Sequence, residues 1–263
     1  MRSLALLASL LLTSTAAAAA TCGNDASGFN AWKQQFAQEA SAQGVGQRGL
    51  AALDATQYAT RTISADRNQK SFRYELDEFL RIRGADTIVA QGREKIANNP
   101  NFYGALEERY GVAPSVIVAI WGMETGFGNF MGDSNVVSAI ATLAYDCRRS
   151  DFFSPHAMAA LQLVDRGSLS SGTVGAMHGE VGHTQFLPGN VARYGVDGDG
   201  NGVVDLTNQV DALASTANFL AQKGWQRGAG FQEGQPNFAV IQEWNAATVY
   251  QKAIAQMAGR IDG

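Results

Sequence analysis

Apolar positions recur at helical spacing along most of the chain. Phe29, Trp32, Phe36 and Ala40 form one such stripe, and Phe72, Leu76, Phe79 and Leu80 form another. These are the intervals of one face of an α-helix. Asp86 to Asn98 and Asn101 to Tyr110 read as two amphipathic helices parted by Asn99-Pro100, a dipeptide that ends one helix and starts the next. Pro114 opens a nearly uniformly apolar stretch, Ser115 to Thr125. Proline suits a first helical turn, and a helix apolar all round is a buried helix. His156 to Arg166, Asp211 to Lys223 and Ala239 to Arg260 complete the predicted helices. Strand signals are few: Phe238 to Ile241, and short candidates in the glycine-rich stretch from Gly167 to Gly202. The predicted class is mainly α, with a glycine-rich loop region and few short strands.

The first twenty residues have a different pattern. Arg2 is followed by the apolar run Leu4 to Leu12 and then by Ala16 to Ala20, the layout of a secretory signal with a small-residue cleavage zone. Residues 1–20 are therefore expected to be removed and residues 21–263 to form the exported protein, in the periplasm. A lipoprotein reading would lipidate Cys22, but Thr21 before it fits that signal poorly. Across the chain, 46% of residues are hydrophobic and 17% charged, which excludes the composition of disorder. Twenty basic residues against 24 acidic, net −4, argue against nucleic-acid binding. No apolar run reaches the roughly 18–20 residues of a membrane span. The two cysteines, Cys22 and Cys147, allow one pairing, and export favours a disulfide over two free thiols.

Glu124 is the carboxylate with the most unusual surroundings. It ends the apolar helix that runs through Trp121-Gly122-Met123, so it is expected near an apolar wall. Burial of that kind disfavours the anion and raises the pKa, as a general acid near neutral pH requires. Gly126 and Gly128 follow; they can stop the helix and let a ligand approach the backbone. The bland alternative is a glutamate that emerges into solvent as the helix ends, and spacing alone does not separate the two.

Trp121-Gly122-Met123-Glu124-Thr125-Gly126-Phe127-Gly128 resembles the catalytic glutamate motif of the lytic murein transglycosylase B family. The likeness continues in order through Ala139-Ile140-Ala141-Thr142-Leu143-Ala144-Tyr145-Asp146, Arg148-Arg149-Ser150-Asp151-Phe152-Phe153 and Gly182-His183-Thr184-Gln185-Phe186-Leu187-Pro188. It runs on through Asp197 to Gly202, Asp211 to Ser215, Gly224-Trp225, and Trp244-Asn245 with Tyr250. The resemblance implies a lysozyme-like helical core acting on peptidoglycan glycan strands. It implies cleavage of the β-1,4 bond between N-acetylmuramic acid and N-acetylglucosamine without water, giving a 1,6-anhydro product. Glu124 would protonate the leaving oxygen and then, as carboxylate, assist attack by the muramic acid C6 hydroxyl. Ordinary glycosidases use two carboxylates; this route needs one. Asp133, the nearest acid after Glu124, reads as a turn residue beside Gly132. By the same resemblance Arg148 and Arg149 would line the glycan groove, Gln185 would bind a sugar group, and Asn245 with Tyr250 would frame the carboxylate. Phe152 and Trp244 read either as sugar platforms or as core.

One stretch departs from the family pattern. Family members usually read Gly-Ala-Met-Gly before the glutamine-phenylalanine segment, whereas here Glu180 and Val181 stand in place of Ala-Met within Gly175-Ala176-Met177-His178-Gly179-Glu180-Val181-Gly182. Glu180 reads as an exposed loop acid, with a second functional carboxylate as the alternative. Asp197, Asp199, Asn201, Val203, Asp205 and Asn208 fall at the ligand positions of an EF-hand-like loop, with Gly202 at the sharp turn. Weak structural calcium is the preferred reading there, over a metal-free Asp-Gly turn, and no cofactor is implied for catalysis. His156, His178 and His183 show no zinc spacing. The competing functions are a lysozyme-type hydrolase and a non-catalytic peptidoglycan-binding protein. No protein partner is indicated, and a monomer is expected.

Overall fold

The apolar stretch that begins at Pro114 lies at the centre of the fold. The computed structural model of the protein describes residues 19–68 and 74–263. Residues 1–18 of the predicted secretory signal, and Phe72, lie outside the described residues. The helices before the centre are α1 (Phe29–Ala42), α2 (Gln47–Asp54), α3 (Thr60–Arg67), α4 (Leu76–Arg83), α5 (Ala85–Asn98) and α6 (Pro100–Tyr110). After the central α7 (Pro114–Thr125) come β1 (Ser134–Asn135), α8 (Val136–Tyr145), α9 (Ser150–Arg166) and β2 (Val174–Gly175). α10 (Pro188–Tyr194), α11 (Gln209–Gln222), α12 (Phe238–Trp244) and α13 (Thr248–Asp262) complete the chain. The short strands pair antiparallel, Ser134 opposite Gly175 and Asn135 opposite Val174. The mainly α class with few short strands is what the described residues form.

Every residue of α7 from Ser115 to Met123 is buried, as is Thr125. α5 and α13 pack along it, with α6 and α11 beside them. Fully burying aliphatic side chains such as Ile117 and Ile120 stabilises the fold by roughly 1.5–3 kcal/mol each. Gly92, in the middle of α5, lets this packing close: a Cβ there would meet Val118 and Ile261 at 2.9 Å. Gly126 ends α7 in the left-handed conformation, φ 56°, which glycine adopts without steric cost. Glu124 therefore sits in the last turn of a buried helix.

Four features differ from the sequence expectation. α9 starts at Ser150 rather than His156 and carries Pro155 inside it; the proline removes one hydrogen bond in the second turn, while buried Phe153 anchors the turn before it. Phe238 to Ile241 is the first turn of α12, not a strand. Asn237, fully buried, ties that turn to Gln226 and Ala229 through its side-chain amide. The predicted helix from Ala239 to Arg260 is two helices, because Asn245 is extended (φ −148°, ψ 120°) and its Oδ1 accepts from Ala247 N at 3.0 Å. The glycine-rich stretch from Gly167 to Gly202 includes α10, started by Pro188 at its first position. α2, α3 and α8 also go beyond the predicted set.

Cys22 and Cys147 are disulfide-bonded. The N-terminal segment is held alongside, with Gly23 N donating to Tyr145 O and Cys147 N to Gly23 O, each at 3.0 Å. Phe29 and Trp32 pack on the Tyr145 ring from α1. No helix of the described residues is long and apolar enough to cross a membrane.

Candidate active site

Glu124 faces a cavity of about 330 Å³. Its Oε1 accepts two hydrogen bonds, from Tyr250 Oη at 2.5 Å and from Trp244 Nε1 at 3.0 Å. Both donors depend on the break between α12 and α13: Trp244 is the last residue of α12 and Tyr250 lies in the first turn of α13. A continuous helix through Asn245 would not bring both to one oxygen. The glutamate's pKa is raised. Desolvation is the main cause, the two donors pull the other way, the negative charge of Glu180 adds to the rise, and Arg83 of α4 opposes it. The last turn of a helix also carries the negative end of its dipole, which further disfavours an anion. Tyr250 is pushed well above its ordinary value by burial and by the neighbouring glutamate, so it stays a donor. Behind it, Tyr250 packs on Phe79, whose face is covered by the Arg83 guanidinium at 5.2 Å.

The opposite wall is the segment from Ala176 to Asn190. It is fastened to α7 by His183, whose carbonyl accepts from Thr125 Oγ1 at 2.7 Å and whose Nδ1 accepts from Trp121 Nε1 at 3.1 Å. Burial lowers the pKa of His183, which keeps Nδ1 an acceptor. Val181 and Phe186 form an antiparallel bridge, and His156 Nδ1 accepts from Gly189 N at 3.0 Å at the start of α10. Ala176, His178, Glu180, Gln185, Leu187 and Asn190 thereby line the cavity, with Phe186, Phe219, Trp244 and Asn245 completing it.

Of the predicted substrate residues, Gln185 and Asn245 reach this cavity, and Tyr250 touches Glu124 itself. Gln185 has a left-handed backbone, φ 57°, and its amide donates to Gly182 O and Met131 O. Arg148 and Arg149 do not line the cavity; both pair with the buried carboxylate of Asp66, Arg149 at 2.8 Å. An acid with 2% of its side chain exposed needs such partners more than an open groove needs arginines. Phe152 is half exposed, against His156 and under the Arg149 guanidinium, also away from the cavity. Asp133 pairs with Arg61 on the surface at 3.3 Å. Two cavity residues depart from the reading preferred in the sequence. Trp244 is a donor to the carboxylate, seated on Phe186 and Phe219, and Glu180 is a lining residue rather than an exposed loop acid.

A carboxylic acid whose pKa is raised by burial, at the edge of a cavity of about 330 Å³, is an arrangement that suits a general acid. Residues 28–233 match the transglycosylase SLT domain family. The chain belongs to this family. It is 36% identical over 121 residues to membrane-bound lytic murein transglycosylase B of Escherichia coli (strain K12). That match is 45% of this chain and spans 34% of the relative's length. The fold is similar to SltB3 of Pseudomonas aeruginosa, solved in complex with NAG-anhNAM-pentapeptide and with NAG-NAM-pentapeptide. That likeness has a TM-score of 0.82 at 28% identity, over 89% of this chain and 80% of the other. The Escherichia coli lytic transglycosylase Slt35, solved in complex with calcium, has the same fold at TM-score 0.76 and 23% identity, over 92% of this chain and 96% of the other. The transglycosylase SLT match ends at residue 233, so both donors to Glu124 come from helices beyond the matched residues.

In this SLT-family chain the acidic loop folds on itself. Asp197 accepts from the backbone N–H of Gly200, Asn201 and Gly202, which lowers its pKa. Asn208 is not placed as a closing ligand: its Oδ1 caps α11 by accepting from Val210 N, and its amide donates to Asp199. Asp205 turns to Thr207, and Asn201 accepts from Val203 N. The third carboxylate is Asp211, fully buried in the first turn of α11 and unanticipated from the sequence. It accepts from the N–H of Gly198, Asp199 and Asp205. Oxygens of Asp197, Asp199 and Asp211 lie within 4.8 Å of one another.

Proposed function

We propose that this protein is a peptidoglycan lytic transglycosylase that cleaves the β-1,4 bond between N-acetylmuramic acid and N-acetylglucosamine and closes a 1,6-anhydro ring. The observation that carries the reading is Glu124 in the last turn of a buried helix, raised in pKa by desolvation yet oriented by two donors on one oxygen. In its neutral form Glu124 gives its proton to the glycosidic oxygen as the C1–O bond breaks. The carboxylate so formed, already hydrogen-bonded by Tyr250 and Trp244, takes the proton of the C6 hydroxyl as that oxygen bonds to C1. The proton returns to Glu124 and the site is ready again. Substrate and product of this reaction differ as do the two ligands in the SltB3 complexes, one with an anhydro muramic unit and one without. Gln185 and Asn245 supply amide groups at the cavity wall, suited to hydroxyl and acetamido partners. The exported, periplasmic setting read from residues 1–20 is where such a substrate lies.

Glu180 in the cavity keeps a second reading open, hydrolysis with two carboxylates. Digesting peptidoglycan in oxygen-18 water and weighing the products separates them. The lytic reading expects anhydro-muramic ends without label; labelled reducing ends would replace it with the hydrolase.

The acidic loop fits a hard cation through Asp197, Asp199 and Asp211, because three carboxylate oxygens are what calcium selects. Calcium there would tie the loop to the start of α11, a structural role with no part in bond cleavage. Asp211 takes the closing place in this reading, and Asn208 keeps to its helix cap.

A further inference from the structure

The lytic reaction uses one protein carboxylate, yet the cavity holds two. Glu180 stands where the family resemblance leads one to expect alanine, and its backbone is fixed. Its carbonyl accepts from Ala176 N at 2.9 Å, and the next residue, Val181, exchanges two hydrogen bonds with Phe186 at 2.9 and 3.1 Å. The side chain lines the same cavity as Glu124 and is 27% exposed. Its Oε1 lies 3.8 Å from His178 Nδ1, beyond hydrogen-bond distance. Its Oε2 is buried and has no hydrogen-bond partner among the described residues.

A carboxylate oxygen withdrawn from water and left without a donor is unfavourable, and buried polar atoms in folded proteins are as a rule satisfied. Among the described residues nothing donates to Oε2, while rotation of the carboxyl group exchanges its two oxygens and the partly exposed side chain borders a cavity open to ligands rich in donors. We propose that Glu180 is a substrate-binding carboxylate, whose solvent-facing oxygen accepts a hydrogen bond from an N–H or O–H of the sugar bound over Glu124. This rests on the reading of the cavity as a glycan site and adds to it a residue that sets how the sugar is held. A carboxylate can only accept, so the group it selects is a hydroxyl or an acetamido N–H, not an ether oxygen. Its charge has a second effect. The groups facing Glu124 are the donors Tyr250 of α13 and Trp244 of α12, the cation Arg83 of α4, and Glu180 from the loop, with His178 beside it. Glu180 is the one among them whose charge favours the protonated form of Glu124.

The test compares muropeptide binding to two inactive proteins, Glu124→Gln and Glu124→Gln/Glu180→Gln, by calorimetry with a disaccharide-pentapeptide that contains both sugars. Loss of a hydrogen bond to a charged group is expected to weaken Kd by about tenfold in the double variant. Equal affinity overturns this proposal alone, whereas no binding to either protein overturns the glycan reading and the proposal with it. Glu180→Gln in the active protein gives an independent measurement. KM should rise, and the basic limb of the kcat/KM profile should move to lower pH, because Glu124 then loses its proton more easily. An unchanged KM with an unmoved limb, in a variant that melts like the wild type, overturns the proposal.

Discussion

Tyr250 donates its hydroxyl to Oε1 of Glu124 at 2.5 Å across 126 residues of sequence. This bond opposes the effect of burial: desolvation raises the pKa of Glu124, and the tyrosine, like Trp244, holds it down. Tyr250→Phe keeps the ring against Phe79 and removes the donor. The anion formed after bond cleavage then loses a partner, and kcat should fall about 10- to 100-fold, the rate equivalent of one hydrogen bond to a charged group. The basic limb of the kcat/KM profile should move to higher pH, opposite to the shift expected for Glu180→Gln. A limb that stays in place would mean that the hydroxyl does not control the proton on Glu124.

Glu124→Gln tests both catalysis and stability. Glutamine cannot cycle a proton, so turnover should drop by about 10²–10⁴-fold or more. The folded pKa of Glu124 lies above its ordinary value of 4.5. The native state therefore binds the proton more tightly than the unfolded chain does. That contribution to stability is complete below the unfolded pKa and is lost as pH rises through the folded one. Glutamine has no charge to bury, so the variant should melt above the wild type at pH 7, and the gap should close near pH 4. A variant that melts below wild type at both pH values would mean that Glu124 supports the fold as an anion.

The burial of the helix that carries Glu124 was legible in the sequence, because a helix with no polar face is buried whichever way it turns, although spacing left open whether Glu124 itself meets an apolar wall or solvent. The break at Asn245 was not legible. Asn245-Ala246-Ala247 has neither proline nor glycine, and alanine favours helix; what interrupts it is a side chain turned back on Ala247 N. With the break hidden, the role of Trp244 was hidden too, since an aromatic at helical spacing suits a core equally well. Arg148 and Arg149 were expected at the glycan groove; their pairing with Asp66 was not legible, because Asp66 lies 82 residues before Arg148 and nothing local marks it as buried. Asp211 stood only at the start of a predicted helix, where an acid is favourable without any further role. Its three backbone donors exist only once the Asp197 loop has folded over it.

The disulfide closes a separation of 125 residues. Constraining so long a loop in the unfolded chain should contribute on the order of 2–4 kcal/mol. Replacing Cys22 and Cys147 by serine should therefore lower Tm clearly, while leaving KM unchanged, since neither residue nor the adjoining Gly23 bridge borders the Glu124 cavity. Thermal melting with and without reductant, alongside intact-mass measurement of exported protein, checks this. An unaltered Tm on reduction would mean that the Gly23 hydrogen bonds alone hold the segment.

Calcium should stabilise this protein through Asp211 rather than Asn208. Oxygens of Asp197, Asp199 and Asp211 lie within 4.8 Å of one another, three like charges whose repulsion a divalent cation would relieve. Asn208 is already used at both ends, as the cap of α11 and as a donor to Asp199. Both oxygens of Asp197 and both of Asp211 also accept from backbone N–H groups, which compete with a metal. Affinity should fall at the weak end of the range for such loops, about 10⁻⁴–10⁻³ M. Binding to the native state alone raises stability by mass action, so Tm should climb with calcium in the millimolar range and kcat should not change. Asp199→Asn removes one charge, leaves the capping oxygen of Asn208 on Val210 N and should abolish the climb. Asn208→Ser keeps an N-cap oxygen and should preserve it. If Asn208→Ser abolishes the calcium effect and Asp199→Asn does not, the closing ligand is Asn208 and the loop binds with the spacing read from the sequence.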